Sequence, residues 1–220
     1  MSSRVREDVS VSKKCSLIVF SPCRVISGEA EMVNELFASG MDFYHVRKSD
    51  GNSEKVKRFL SSIDSRWYDR LVIHSHFSLL DEFPFQAVHI SADKKDSLLY
   101  KLFVLNPLVK KHPDIWRATT INSLEEFRKP LTTYRYVFLN GVFNKVAFDH
   151  AALAYTKASL ENRLHHSQTP VIAKGMITEN SIKQAMDLGF SGVALQEDFW
   201  SNPDPVNHFL KVKSWIKSQG

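Results

Sequence analysis

Eight short apolar runs punctuate the chain, at residues 16–20, 43–46, 71–74, 87–90, 115–119, 136–139, 170–173 and 193–195, and helix-forming sequence separates them. The runs do not alternate between apolar and polar residues, so they read as strands buried on both faces. Strict alternation of strand and helix implies parallel strands, because only a crossover can return the chain to the same end of a sheet. Eight parallel strands can close on themselves and leave no unpaired edge. The expected fold is therefore α/β, a single eight-stranded (β/α)8 TIM barrel. An open doubly wound sheet is the alternative. The first run is not followed by Gly-x-Gly-x-x-Gly, which weakens that reading.

The helical segments are expected at 29–38, 53–63, 76–82, 96–105, 149–165, 179–188 and 205–217, with a further helix opening at 123–127. Gly40 and Gly189 stand where helix C-caps belong, and Ser53 stands at a helix start. The length of 220 residues suits one barrel domain, spanning 15–220, preceded by a polar arm at 1–14. That arm has no apolar signal core, and no run approaches the roughly 18 apolar residues of a membrane span.

Hydrophobic residues make up 43% of the chain and charged residues 24%, which supplies a full core and excludes a disordered chain. The net charge is +5, but the basic residues are scattered and no nucleic-acid-binding signature is present. The balance reads as a solvated surface with a slight basic excess, and a phosphorylated substrate is compatible with it. Cys15 and Cys23 form neither a disulfide framework nor a zinc spacing, so a reduced, cytoplasmic setting is expected. Nothing in the sequence fixes the oligomeric state; a homodimer is compatible with it.

In a barrel of this kind, chemistry gathers at the C-terminal ends of the strands. His45, Arg47 and Lys48 follow the second run and make a candidate phosphate clamp, since a guanidinium can bind two oxygens at once. His74 ends the third run and His89 lies in the fourth; Asp93 beyond it could offer an oxygen to magnesium. Thr120 and Asn122 follow the fifth run, and Asn140 and Lys145 the sixth. After the last two runs come Gly175 and Met176, then Gln196 and Glu197, where barrel enzymes often hold phosphate. Each could instead be an ordinary rim, turn or cap residue.

These landmarks together resemble the thiamine-phosphate synthase and thiazole tautomerase family from about Leu17 to Leu210. Tyr44-His45-Val46-Arg47-Lys48 is similar to the family's Gln-Leu-Arg-x-Lys, with His45 in place of Gln and Ser49 at the Lys position. His74 and Ser75 stand where the family has Asn and a magnesium-binding Asp, while Val88-His89-Ile90 matches Val-His-Leu. Thr120 keeps a family hydroxyl, and Asn122 replaces a His. Lys145 is the nearest candidate for a family lysine, and 170–177 resembles the Ala-x-Gly-Gly-Ile phosphate loop with Met176 at the second Gly.

The resemblance implies a transferase of thiamine biosynthesis that joins an aminopyrimidine methyl diphosphate to a thiazole phosphate. It implies Arg47, Lys48, His74, His89 and Lys145 as the catalytic set, with His45, Thr120, Asn122, Asn140, Gly175, Met176, Gln196 and Glu197 around the substrates. Magnesium dependence is expected to be weak, because a family aspartate position holds Ser75. The alternatives are a thiazole phosphate tautomerase, or a binding protein for thiazole or thiamine phosphate without catalysis.

Overall fold

The computed structural model describes residues 15–49, 52–146 and 150–218, with side chains throughout these except at 144–146, 150–153, 197 and 198. The expected arm at 1–14 lies outside the described residues. In chain order the elements are β1 (Ser16–Phe20), α1 (Glu29–Ala38), β2 (Phe43–Val46), α2 (Ser53–Ser61), β3 (Leu71–Ile73) and β4 (Ala87–Ile90). Next come α3 (Leu98–Tyr100), a π-turn (Lys101–Leu105), α4 (Asn106–Lys111), β5 (Trp116–Ile121), β6 (Tyr136–Asn140), β7 (Phe143–Val146) and β8 (His150–Leu153). The chain continues through α5 (Lys157–His165), β9 (Val171–Lys174), α6 (Glu179–Leu188), β10 (Gly192–Leu195), α7 (Glu197–Trp200) and α8 (Pro205–Ser218).

The eight expected strands form a closed parallel barrel in the order β1-β10-β9-β6-β5-β4-β3-β2. The fold is the (β/α)8 barrel. β7 and β8 pair antiparallel as a separate hairpin.

Four stretches differ from expectation. The helix expected at 149–165 starts only at Lys157, because the chain before it folds into the β7–β8 hairpin. The helix expected to stop at Leu105 runs on to Lys111. Pro107 lacks an N–H and would crowd an ordinary helical turn, and the wider π-turn just before it relieves that conflict. The segments at 76–82 and 123–127 form only 3-10 turns, Phe77–Asp81 and Leu124–Arg128.

Side chains alternate in direction along each strand. One set packs outward against the helices, in the large cluster that includes Val19, Tyr44, Val46, Ile73, Val88, Leu139 and Val193. The other set fills the barrel: Ile18, Phe20, Phe43, Val72, Ala87, Ala118, Tyr136, Phe138, Ile172 and Ala194. The barrel is therefore a packed core rather than a pore. Continuing the inward set by two residues at each strand end brings His45, His74, His89, Thr120, Asn140 and Lys174 to one mouth.

Candidate active site

The floor of that mouth is built from three imidazoles. His45 is fully buried between the Phe20 ring, stacked on it at 4.7 Å, and the edge of Phe138. Its Nε2 lies 2.7 Å from the Tyr136 hydroxyl and its Nδ1 lies 2.9 Å from His74 Nε2. Burial keeps the Tyr136 phenol protonated, with its pKa well above the usual value. As a donor, the phenol fixes the His45 proton on Nδ1, and that N–H then donates to His74. The result is a directed chain from Tyr136 through His45 to His74.

His89 stacks on His74, with ring centroids 4.1 Å apart and planes 14° from parallel. Its Nε2 is 3.2 Å from the Thr120 hydroxyl, while its buried Nδ1 has no protein partner. All three imidazoles are held neutral. Burial pushes His45 and His74 well below the ordinary histidine value and His89 down to about 3, and nearby Lys174 pushes each further in that direction. Lys95 and Arg47 add to the effect on His89. A neutral, hydrogen-bonding floor thus lies beneath a cationic surround.

The cations differ in how they are held. The Lys174 ammonium lies 4.7 Å from the centre of the Phe20 ring. Arg47 is half-buried; its backbone N–H donates to Ser21 Oγ at 2.8 Å and its Nη2 to Cys23 Sγ at 2.9 Å. Lys95 is buried, donating to the Thr120 carbonyl at 2.8 Å and pairing with Glu126. On the exposed rim, Asn140 donates to the Asn122 side chain at 3.3 Å.

Lys48 stands elsewhere. It shares the outward direction of Tyr44 and Val46, and its ammonium is buried against Glu29 at 2.6 Å. The carbonyls of Pro22 and Arg24, each 3.0 Å away, take its other protons. Tyr44 donates to the same Glu29 carboxylate at 2.8 Å. Lys48 therefore ties α1 to the end of β2, and its charge is not directed into the mouth as the clamp reading expected.

The loop after β9 also departs from expectation. The Met176 N–H, expected to face an anion, donates to the Phe143 carbonyl at 3.1 Å. A Cβ on Gly175 would lie 2.7 Å from that same carbonyl oxygen and 2.9 Å from the Phe143 nitrogen. The glycine thus admits the backbone of β7, where a phosphate cradle was expected. Gln196 is half-buried, and its carbonyl accepts from the Phe199 N–H at 3.0 Å. Lys145 lies in β7 and Glu197 opens α7, but their side chains lie outside the described residues.

Neither kind of metal fits the residues present. Magnesium takes oxygen ligands. Among the described residues, the group of three close donors at the mouth is His45, His74 and His89, and Asp93 is exposed and outside it. The Asp93 carboxyl is held below the usual carboxylate range, chiefly by its bond to Ser91. The imidazoles do not suit a transition metal as arranged. A ring nitrogen directs its lone pair in the ring plane, so the stacked His74 and His89 cannot both aim at one ion, and the surrounding cations repel it.

Lys174, Lys95 and Tyr136 were not singled out from the sequence. Strand alternation carried the signal for two of them: Lys174 lies two residues past Ile172, and Tyr136 two before Phe138, both inward-facing.

No protein-family profile matches the chain. A thiamine-phosphate synthase from Anoxybacillus flavithermus is 31% identical over 84 residues, which is 37% of this chain and 39% of that protein. The resemblance is to thiamine-phosphate synthases. Among solved structures, a thiamine phosphate pyrophosphorylase from Bacteroides thetaiotaomicron superposes with a TM-score of 0.71 at 22% identity, covering 94% of this chain and 99% of that one. The Pyrococcus furiosus thiamine phosphate pyrophosphorylase gives the same TM-score at 15% identity, covering 95% and 98%. The chain shares its barrel fold with these two structures over nearly its whole length, and the described part of the chain contains no helix long and apolar enough to cross a membrane.

Proposed function

We propose that this protein is a thiamine-phosphate synthase-like transferase that joins an aminopyrimidine methyl diphosphate to a thiazole phosphate with little reliance on magnesium. The observation that carries this reading is the neutral imidazole floor beneath Arg47 and Lys174. An uncharged heteroaromatic ring suits the floor. The unpartnered His89 Nδ1 would gain a hydrogen bond from a ring nitrogen or amino group, and leaving such a buried atom unsatisfied costs about 1–3 kcal/mol. A diphosphate suits the cations. Its departure leaves positive charge on the pyrimidine methylene, and the thiazole nitrogen then attacks that carbon.

In this scheme Arg47 and Lys174 stabilise the leaving diphosphate, and Thr120, Asn122 and Asn140 orient the substrates. Preorganised charge at a leaving group is worth most where water is excluded. His45 and Tyr136 position His74 through their hydrogen bonds and make no substrate contact themselves. Lys145 and Glu197 remain candidates at the rim.

The test is to supply both substrates with and without magnesium and follow thiamine phosphate. Product that persists in chelator supports the proposal. Strong, saturable magnesium activation would refute the magnesium-poor mechanism, and no product under any condition would refute the transferase. The Tyr136–His45–His74 chain favours one second reading, tautomerisation of a thiazole phosphate, because an imidazole can relay a proton there. Isomerisation of a thiazole phosphate without the pyrimidine substrate would identify that activity.

A further inference from the structure

β4 and β5 pair as far as Ile90 and Thr119. The chain after β4 then turns at Ser91, whose carbonyl accepts from the N–H groups of Lys94 and Lys95 at 3.0 and 3.1 Å. From that turn the Lys95 side chain reaches the end of β5. It is buried, its ammonium donates to the Thr120 carbonyl at 2.8 Å, and it pairs with one oxygen of Glu126. The other Glu126 oxygen accepts from the Asn122 N–H at 2.7 Å. Ammonium and carboxylate together hold the two peptide groups that flank Ile121, whose own side chain is buried in the outer core. The residues on either side of Ile121 carry polar side chains at the mouth. The Thr120 hydroxyl lies 3.2 Å from His89 Nε2, and Asn122 Oδ1 accepts from Asn140 at 3.3 Å.

We propose that Lys95 is a positioning residue for the heterocyclic substrate: by holding the Thr120 carbonyl and, through Glu126, the Asn122 N–H, it sets where Thr120 and Asn122 meet the ring. The inference rests on the reading of the mouth as the substrate site. It gives a task to a buried cation that the transfer scheme leaves unused.

Two other roles fit Lys95 less well. It is not an anion ligand, because Glu126 neutralises it and two of its three N–H donors already serve the protein. Nor does stability alone account for the pair, since desolvating a buried ion pair offsets much of its attraction. Apolar side chains could fill the same volume, but they could not bind a carbonyl and an amide on the two sides of one residue. What the pair supplies is direction at the strand end. The Lys95 charge also helps to keep the His89 imidazole neutral next to Thr120.

Lys95→Met combined with Glu126→Gln removes the brace and leaves the net charge unchanged. In the unliganded double variant, the ring-nitrogen NMR resonances of His89 should shift, because the Thr120 hydroxyl moves relative to Nε2. In calorimetric titrations, affinity for the unphosphorylated thiazole should fall about ten-fold, a loss of hydrogen-bond size. Affinity for inorganic diphosphate, held by Arg47 and Lys174, should stay within about two-fold. Lys95→Gln with Glu126→Gln keeps both polarity and net charge, and should show the same pattern at smaller size if the first variant does not fold. Val212→Ala trims a buried side chain on α8 and should lower the thermal midpoint without moving either readout. A parent that binds neither probe would overturn the substrate reading on which the proposal rests. A parent that binds both, with His89 resonances unmoved in the double variants or with thiazole and diphosphate affinity lost equally, would overturn the role of Lys95 alone.

Discussion

Glu29 and Lys48 form an ion pair with 2.6 Å between Oε1 and Nζ, and their side chains are 0% and 1% exposed. The pair joins the first turn of α1 to the end of β2, and the Ile26 N–H donates to the same carboxylate at 3.1 Å. Removing one partner leaves a buried charge without compensation, a change that costs about 3–5 kcal/mol. Glu29→Ala and Lys48→Ala are each expected to lose stability of that order in urea unfolding. Glu29→Leu combined with Lys48→Met should be markedly less damaging than the two single losses added together. A loss below about 1 kcal/mol in the single variants would show that the pair is not buried in solution.

The buried histidines predict an acid limit to stability. Their folded pKa values lie below the ordinary histidine value, so the unfolded chain binds more protons than the folded one once pH falls below about 6.5. Stability is full above that pH and declines beneath it. Each histidine adds a slope approaching about 1.4 kcal/mol per pH unit, so three of them approach about 4. The window from pH 6.5 to 5 isolates this effect, because most carboxylates titrate lower. Urea midpoints should fall steeply across it, and His89→Gln should flatten the slope by about a third. A flat profile between pH 7 and 5 would mean that the imidazoles are protonated or open to water in the fold.

The barrel was legible in the sequence because strands buried on both faces leave continuous apolar runs that no surface element shares. The histidine floor was also legible: His45, His74 and His89 each lie two residues beyond an inward-facing apolar side chain. The same parity places Lys48 on the outer face with Tyr44, but the motif resemblance grouped it with Arg47. The β7–β8 hairpin was not legible. Its strands are short and of mixed polarity, and β7 is held by a contact distant in sequence, from Phe143 to the 175–176 backbone. Helix-period patterning from residue 149 onward therefore read as one long helix. Pro107 likewise reads as a stop signal unless a π-turn precedes it, and no composition rule announces a π-turn.

Arg47→Ala should weaken phosphate or diphosphate binding by about 1.5–3 kcal/mol, roughly 10- to 150-fold, with a much smaller loss of folding stability. The guanidinium is half-buried at the mouth, and its Nη2 contact is a weak sulfur acceptor that an anion would displace with gain. Arg47→Lys should restore only part of the affinity, because an ammonium cannot bind two oxygens in one plane. Calorimetric titration with inorganic diphosphate reads both variants. Equal affinity of Arg47→Ala and the parent, with both folded, would remove Arg47 from the site.

Gly175 offers the sharpest separation between packing and anion binding. Any side chain there meets the Phe143 backbone, since a Cβ would lie 2.7 Å from its oxygen and 2.9 Å from its nitrogen. Backbone atoms cannot swing aside as a flexible side chain can, so the hairpin or the loop must shift. Overpacking of this kind costs about 1–3 kcal/mol. Gly175→Ala should therefore lower the thermal midpoint, and it should speed protease cleavage between Phe143 and Leu153 as β7 loses its seat. A phosphate cradle at the same glycine predicts a different pattern: unchanged stability and cleavage, with preference for a phosphorylated over an unphosphorylated thiazole lost. Measuring melting, cleavage and both thiazole affinities on parent and variant separates the two. Because the Met176 N–H already serves Phe143, the packing outcome is expected, and any phosphate preference of the parent should survive in the fraction of Gly175→Ala that remains folded.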